Sequence, residues 1–330
     1  MLPVSPMRPP GSLLRLGMIG MIDGNGHPYS WSAIINGFRE EPMSRCPYAG
    51  IPKYLFANRD AIGIPGVKVT HVWTDDPDAA RHVADASKVD HILTRPEDAI
   101  GQVDAVLIAT DDGTDHSRRA RPFLEAGLPV FIDKPLAITA PELEFFAAWH
   151  RKGARFLSSS GARYDPGLDQ LCAAMPTIGE VRWIGAVTIK TWERYGIHRL
   201  EPIFALLGPG FESISLGPKT GRTEIAHLIH HTGAQTSIVV AEDAAAAFRH
   251  VRVVGSQALY DATLGNTFTA FKRQLESFVR FANGGASPIP FADTLEMMAI
   301  LMAGLESRAA GGARIDIQPI KSRFMSTAGG

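Results

Sequence analysis

Gly127-Leu128-Pro129-Val130-Phe131-Ile132-Asp133-Lys134-Pro135-Leu136 reads as a buried strand that ends in chemistry. Its apolar run, Pro129–Ile132, shows no polar alternation, as a strand covered on both faces of a parallel sheet requires. Gly127 closes the helix that reads over Asp115–Ala126. An acid and a lysine follow the strand directly, and Pro135 restrains the backbone that carries them.

The same alternation extends along the first half. Leu14–Met21, Val67–Trp73, Val103–Ala109 and Ala154–Ser158 read as further strands. Helices read near Ser30–Asn36 and over Asp78–Ala86. Thr139-Ala140-Pro141-Glu142 has capping-box spacing, and Leu143, Phe146 and Ala147 continue it as a helical stripe. Strands alternating with helices imply an N-terminal α/β unit of Rossmann architecture over residues 1–160. Within it, Gly37–Gly66 contains Pro42, Pro47, Pro52 and Pro65 and reads as an inserted loop with short turns, of a length that often carries function. Met1–Gly11 reads as a proline-rich arm. The apolar run Leu13–Gly20 is broken by Arg15 and is too short for a membrane span.

Residues 161–330 read as an α+β domain with an open, mostly antiparallel sheet. Its strands are Val181–Lys190, Phe211–Leu216, Glu224–His230, Gln235–Ala241, Phe248–Val254 and Ala258–Thr263. Two helices follow, one through Phe268, Phe271, Leu275 and Phe278, the other through Leu295, Met298, Met302 and Leu305. Apolar residues on both faces of Val181–Ile189 and Gln235–Val240 call for a cover on each face, so a homodimer or homotetramer is expected.

Lys+Arg 33 against Asp+Glu 34 leaves a formal net charge of -1. That balance gives no electrostatic reason to expect nucleic acid or an anionic membrane as partner. The 11 His and the two cysteines, Cys46 and Cys172, form no metal-ligand spacing, so no metal is expected. Two free thiols fit a reducing, cytoplasmic setting.

The turn Gly20-Met21-Ile22-Asp23-Gly24-Asn25-Gly26-His27 lies between strand and helix, where backbone N–H groups face a pyrophosphate. Gly20, Asp23, Gly24, Asn25, Gly26 and His27 are therefore candidate cofactor contacts. Ile22 and Asn25 stand where G-x-G-x-x-G places its second and third glycines, so a purely structural turn is the alternative. At the end of the next strand, Thr74 and Asp75 suit the adenosine ribose and favour NAD over NADP. The alternative is that Asp75 and Asp76 both cap the helix begun by Pro77. The nearest following arginine, Arg81, is too far along to clamp a phosphate. Thr110, Asp111, Asp112 and His116 fall at the carboxyl edge of the sheet, with helix capping by Asp112 or Asp115 as the alternative.

These motifs together resemble the Gfo/Idh/MocA family. Asp133-Lys134-Pro135 after Ala126-Gly127 is similar to its Glu-Lys-Pro segment, and Ile108-Ala109-Thr110 with His116 to its Ile-Ala-Thr-Pro-Asn-x-x-His, with Asp111 replacing proline. Ile178-Gly179-Glu180-Val181 resembles its entry to the second domain. Gly196-Ile197-His198 with Glu201, then Leu206-Leu207-Gly208, resembles its Gly-x-His-x-x-Asp segment and the Leu-rich helix after it. Arg163-Tyr164-Asp165-Pro166 resembles an Arg-Phe-x-Pro segment near the nicotinamide. Many dehydrogenases of the family carry Asp four residues before the His, where this chain has Arg194.

The resemblance implies reversible hydride transfer between NAD and a hydroxyl carbon of a sugar, cyclitol or related polyol. Lys134, with Asp133, falls at the cofactor and holds the reacting oxygen, and His198 accepts its proton. A helix beginning at His198 sets Glu201 on the same face and leaves Pro202 in the first turn. The helix N-terminus disfavours an imidazolium there. Tyr195 is a further catalytic candidate. Arg163, Arg194, Tyr195 and His198 are substrate-side candidates, and Arg163 also a cofactor candidate. The rival reading is a non-catalytic dinucleotide-binding sensor or regulatory protein on the same fold.

Overall fold

A computed structural model describes residues 11–325, and the proline-rich arm before Gly11 lies outside them. The first half runs β1 (Leu14–Ile19), α1 (His27–Asn36), α2 (Glu40–Ser44), α3 (Gly50–Ala57), β2 (Val67–Trp73), α4 (Pro77–Ala86), β3 (His91–Ile92), β4 (Ala105–Ile108), α5 (His116–Glu125), β5 (Val130–Ile132), α6 (Ala140–Arg151) and β6 (Phe156–Ser158). These strands pair in parallel in the order β3-β2-β1-β4-β5-β6. Strand order reverses between β1 and β4, and such a switch point opens the crevice where doubly wound sheets bind ligands. Leu16, Met18, Val106, Leu107, Phe131 and Ile132 are fully buried, as near-continuous apolar strands should be in a sheet covered on both faces. Trp31 of α1 meets Phe131 of β5 edge-on at 5.3 Å between ring centroids.

The inserted stretch is not a loop. Residues 37–66 fold into α2 and α3 and a short 3-10 turn. Pro42 and Pro52 each fall third in their helix, where a missing N–H costs no intrahelical bond. Four prolines therefore break this stretch into short helices without preventing them. The segment is bolted down by Tyr54 Oη donating to Ser30 Oγ at 2.5 Å and by Arg39 pairing with Asp85.

The second half runs α7 (Pro166–Ile178), β7 (Val181–Thr188), α8 (Trp192–Tyr195), α9 (Ile197–Leu207), β8 (Phe211–Leu216), β9 (Thr223–His230), β10 (Gln235–Ala241), β11 (His250–Gly255), β12 (Leu259–Thr263), α10 (Thr267–Ala282), α11 (Phe291–Ala309), β13 (Ile315–Asp316) and α12 (Ile317–Met325). The sheet order is β12-β11-β7-β10-β9-β8-β13, antiparallel except where β7 and β10 run parallel. Helices α9 and α11 pack against β7 and β8. Along β10, Thr236, Ile238 and Val240 are buried while Ser237 and Val239 on the other face are only partly so. That second face also carries Trp183 and an exposed Ile225.

The chain divides into two compact units, each discontinuous in sequence. One runs up to Asp133 and takes in Ala148–Ser158 and Phe271–Pro288; the other holds Lys134–Ala147, Ser159–Ala270 and the chain from Ile289 on. No helix among the described residues is long and apolar enough to cross a membrane.

Candidate active site

Gly20 ends β1 with φ 85°, in the left-handed region. A Cβ there would lie 2.8 Å from Thr110 Cγ2 and 3.1 Å from an Arg119 nitrogen, so glycine is needed for conformation and for space. Asn25 replaces a glycine and works for its place. Buried, it donates from Nδ2 to Asp133 Oδ2 at 2.8 Å and accepts the His27 N–H at 3.0 Å. Gly26 faces the inserted segment, and a Cβ on it would meet Tyr48 at 2.5 Å and Ile51 at 2.6 Å. The backbone N–H groups of Ile22, Asp23, Gly24 and Gly26 meet no acceptor among the described residues. Thr110 Oγ1, also at this turn, is buried without a partner. Unspent donors ahead of a helix and an orphaned hydroxyl beside them fit a pyrophosphate and its ribose. Burial pushes the Tyr48 phenol up, with Asp23 and Asp111 adding to the shift, so it stands neutral beside this turn.

At the end of β2 the capping alternative holds for only one of the two acids. Asp76 caps α4, accepting from the Asp78 N–H at 2.9 Å, and Thr74 Oγ1 donates to the Asp76 carbonyl at 2.5 Å. Asp75 does something the sequence did not suggest. Both its oxygens are taken by Arg119 of α5, at 2.8 and 3.1 Å. Arg119 Nε donates in turn to Asp115 at 2.7 Å. Burial works against the Arg119 charge, but the bonds to Asp75 and Asp115 outweigh it and hold its pKa above the ordinary arginine value.

The loop after β4 is mostly self-bracing. Asp112 Oδ1 accepts both the N–H and the hydroxyl of Thr114, and the fully buried His116 uses Nε2 on the Thr110 carbonyl at 2.7 Å. Asp111 is buried as well. At the end of β5, Asp133 takes the ring of His27: Nδ1 lies 2.5 Å from Oδ2. That ring stacks on Trp31 at 4.4 Å. The glycine-rich turn and the end of β5 are thus tied through one carboxylate oxygen.

In the second unit, three residues singled out from the sequence come together. The Lys134 ammonium, on a residue only 3% exposed, lies 5.0 Å from the centroid of the Tyr195 ring. The Tyr195 and His198 rings are 4.9 Å apart. Lys190, at φ 57°, brings a second ammonium to within 4.5 Å of the Tyr195 centroid. His198 Nδ1 lies 2.7 Å from Ser160 Oγ, a hydroxyl that also accepts the Ala162 N–H. Glu201, buried, accepts the Ser160 N–H at 3.1 Å and pairs with Arg163. Arg163 pairs with Glu201 through Nε, while its buried Nη2 has no hydrogen-bond partner among the described residues. Arg194 precedes Tyr195 on α8 and is partly buried. Helix α9 begins at Ile197, so Pro202 is its sixth residue and not in the first turn as read from sequence. Arg199, which sequence reasoning passed over, is buried against the Phe248 ring at 4.4 Å, and burial pushes it down to about 10 against the pull of Asp165.

A doubly wound sheet with unspent donors at its first turn defines a dinucleotide-binding protein. Residues 14–158 match the model of the Gfo/Idh/MocA oxidoreductase family, NAD-binding Rossmann fold. Inositol 2-dehydrogenase 1 of Saccharopolyspora erythraea is 38% identical over 110 residues, 32% of this chain and 32% of that one. A putative UDP-kanosamine synthase oxidoreductase subunit of Amycolatopsis mediterranei is 31% identical over 89 residues, 27% of this chain and 25% of its own length. The matches thus span about a third and a quarter of these relatives. Scyllo-inositol dehydrogenase from Lactobacillus casei, solved with NAD(H) and scyllo-inositol, shares the fold with a TM-score of 0.73 at 14% identity, over 93% of this chain and 100% of that one.

Proposed function

We propose that the protein is an NAD-dependent oxidoreductase that oxidises, reversibly, a hydroxyl carbon of a sugar, cyclitol or related polyol. The observation that carries this reading is the meeting of Lys134 and His198 on the Tyr195 ring. Bound NAD would supply the hydride acceptor. The Gly20–His27 turn would hold its pyrophosphate, and Asp75 its adenosine ribose. Lys134 holds the substrate oxygen and supports the negative charge that develops there, an effect magnified by its burial. His198 takes the hydroxyl proton at Nε2 when its Nδ1–H is donated to Ser160. Tyr195 keeps the two groups in register. The inositol dehydrogenases among the similar proteins support a polyol as substrate.

The test is direct. Protein supplied with NAD is offered sugars, cyclitols and sugar acids while absorbance is followed at the reduced-nicotinamide band. A rise with a polyol is expected; silence across the panel from protein that binds NAD would reject the reading. The half-open face with Trp183, Ile225 and Val239 supports a homodimer or homotetramer, and a monomeric mass by light scattering at micromolar concentration would refute that. The free thiols of Cys46 and Cys172 support a cytoplasmic setting.

A further inference from the structure

Arg119 reaches the adenosine end of the first unit from an unexpected direction. It sits on α5, the helix that follows β4, whereas Asp75 follows β2. Between those strands lies β1. The Arg119 side chain therefore crosses the carboxyl end of β1, and it does so against Gly20, whose missing Cβ leaves the room. Its side chain is 7% exposed. Two bonds hold the guanidinium to Asp75 and a third anchors Nε to Asp115, which Arg118 also pairs. The Met21 N–H reaches the same Asp75 oxygen at 3.3 Å.

In doubly wound sheets an acid at the end of the second strand accepts the adenosine 2′-hydroxyl and repels a 2′-phosphate, and an arginine nearby accommodates that phosphate. This chain has both, bonded to each other. The bidentate pair neutralises Asp75, so Asp75 does not present the unopposed negative charge that would exclude a 2′-phosphate. The guanidinium is already at the ribose acid, and Asp115 keeps its Nε in place if the other two nitrogens change partner. Exchange of one anionic partner for another conserves charge at Arg119, whereas deleting the arginine would leave Asp75 facing the ligand uncompensated. Arg81, the arginine nearest in sequence, is turned to Asp78 and exposed.

We propose that Arg119 sets the cofactor's 2′-position: it takes the 2′-phosphate of NADP in exchange for the Asp75 carboxylate and leaves the pair intact for NAD, so that the protein binds both with NAD preferred. It rests on the adenosine ribose lying at Asp75, as proposed above, and not on the reaction.

Calorimetric titration of the full chain with NAD, NADP, 5′-AMP and 2′,5′-ADP tests it. The native protein should bind NADP more weakly than NAD, by less than about a hundredfold. Arg119→Met should weaken NADP and 2′,5′-ADP at least about tenfold more than NAD and 5′-AMP. Asp75→Asn should weaken NAD, whose ribose loses its acid, and strengthen NADP, raising the NADP-to-NAD affinity ratio at least about tenfold. An Arg119→Met protein that weakens NAD and NADP alike would show that the arginine only holds the fold, and would overturn the proposal. So would an Asp75→Asn protein with no gain for NADP. Should Arg119→Met fail to fold, the Asp75→Asn result decides alone, because it retains the arginine.

Discussion

Two histidines open two helices of this protein, and they are held in different ways. His27 is the first residue of α1, its Nδ1 against the buried carboxylate of Asp133 and its ring flat on Trp31. His198 is the second residue of α9, its Nδ1 against the hydroxyl of Ser160 and its ring beside Tyr195. A carboxylate only accepts, so it fixes the proton on Nδ1 of His27. A hydroxyl can accept or donate, so His198 can exchange tautomers by rotation of one O–H. The first partner fixes the ring proton, and the second leaves both tautomers open. Both stand in the first turn of a helix, and what sets them apart is the partner.

Lys134 tests whether either histidine serves a reaction at all, since it follows Asp133 in the chain and lies over Tyr195. Lys134→Met should lower kcat at least about a hundredfold, near 3 kcal/mol, with folding and NAD affinity nearly unchanged. Near-normal kcat in a folded, NAD-loaded variant would remove Lys134 from the mechanism. His198→Asn should cost about a hundredfold in kcat, while His27→Asn should cost less than about tenfold and weaken NAD instead. If the two variants behave the other way round, the roles drawn from their partners are reversed. Next in size are the partners themselves. Asp133→Ala strands the donors of Asn25 and His27 and should cost about 2 kcal/mol of stability; Ser160→Ala should cost about 1. Chemical denaturation of both variants reads this, and equal losses would erase the contrast.

The smallest effect belongs to two histidines whose rings are hydrogen-bonded to hydroxyl, amide and carbonyl groups. His71 and His230 are buried, and burial, with a neighbouring histidine in each case, lowers both from the ordinary value of 6.5. The unfolded chain then binds more protons below that value, so stability present at neutral pH is lost as the pH falls through 6.5 toward the lowered folded values. A modest fall in Tm between neutral pH and about pH 5.5 is expected by scanning calorimetry, smaller in His71→Gln. A Tm that rises on acidification would contradict it.

The parallel sheet was legible because burial on both faces leaves an unbroken apolar run, as in Val130-Phe131-Ile132. Lys134, Tyr195 and His198 were legible through motifs whose spacing is local or nearly so. Other features were not, for physical reasons. The helices within residues 37–66 were hidden because proline breaks a helix interior but is admitted to a first turn. The converse error fell at Pro202, which sits inside α9. Helix α7 was missed although Asp165 caps it and Leu168, Leu171 and Ile178 are buried along it. Arg119 and Ser160 were missed because their partners, Asp75 and His198, are brought to them by the fold from 44 and 38 residues away. No local pattern encodes a contact of that range.

Gly26 and Tyr48 make the cofactor turn and the inserted segment hostage to one another. With the ring of Tyr48 where a Cβ of residue 26 would stand, no side chain can be added at position 26 while the segment remains. Cut the segment out and the constraint on position 26 disappears, but Ser30 loses the hydroxyl of Tyr54 and α1 loses the helix packed along it. The insertion is therefore not a detachable ornament on a standard chassis. Anyone grafting it onto a related scaffold, or trimming it from this one, must rewrite the turn in the same operation.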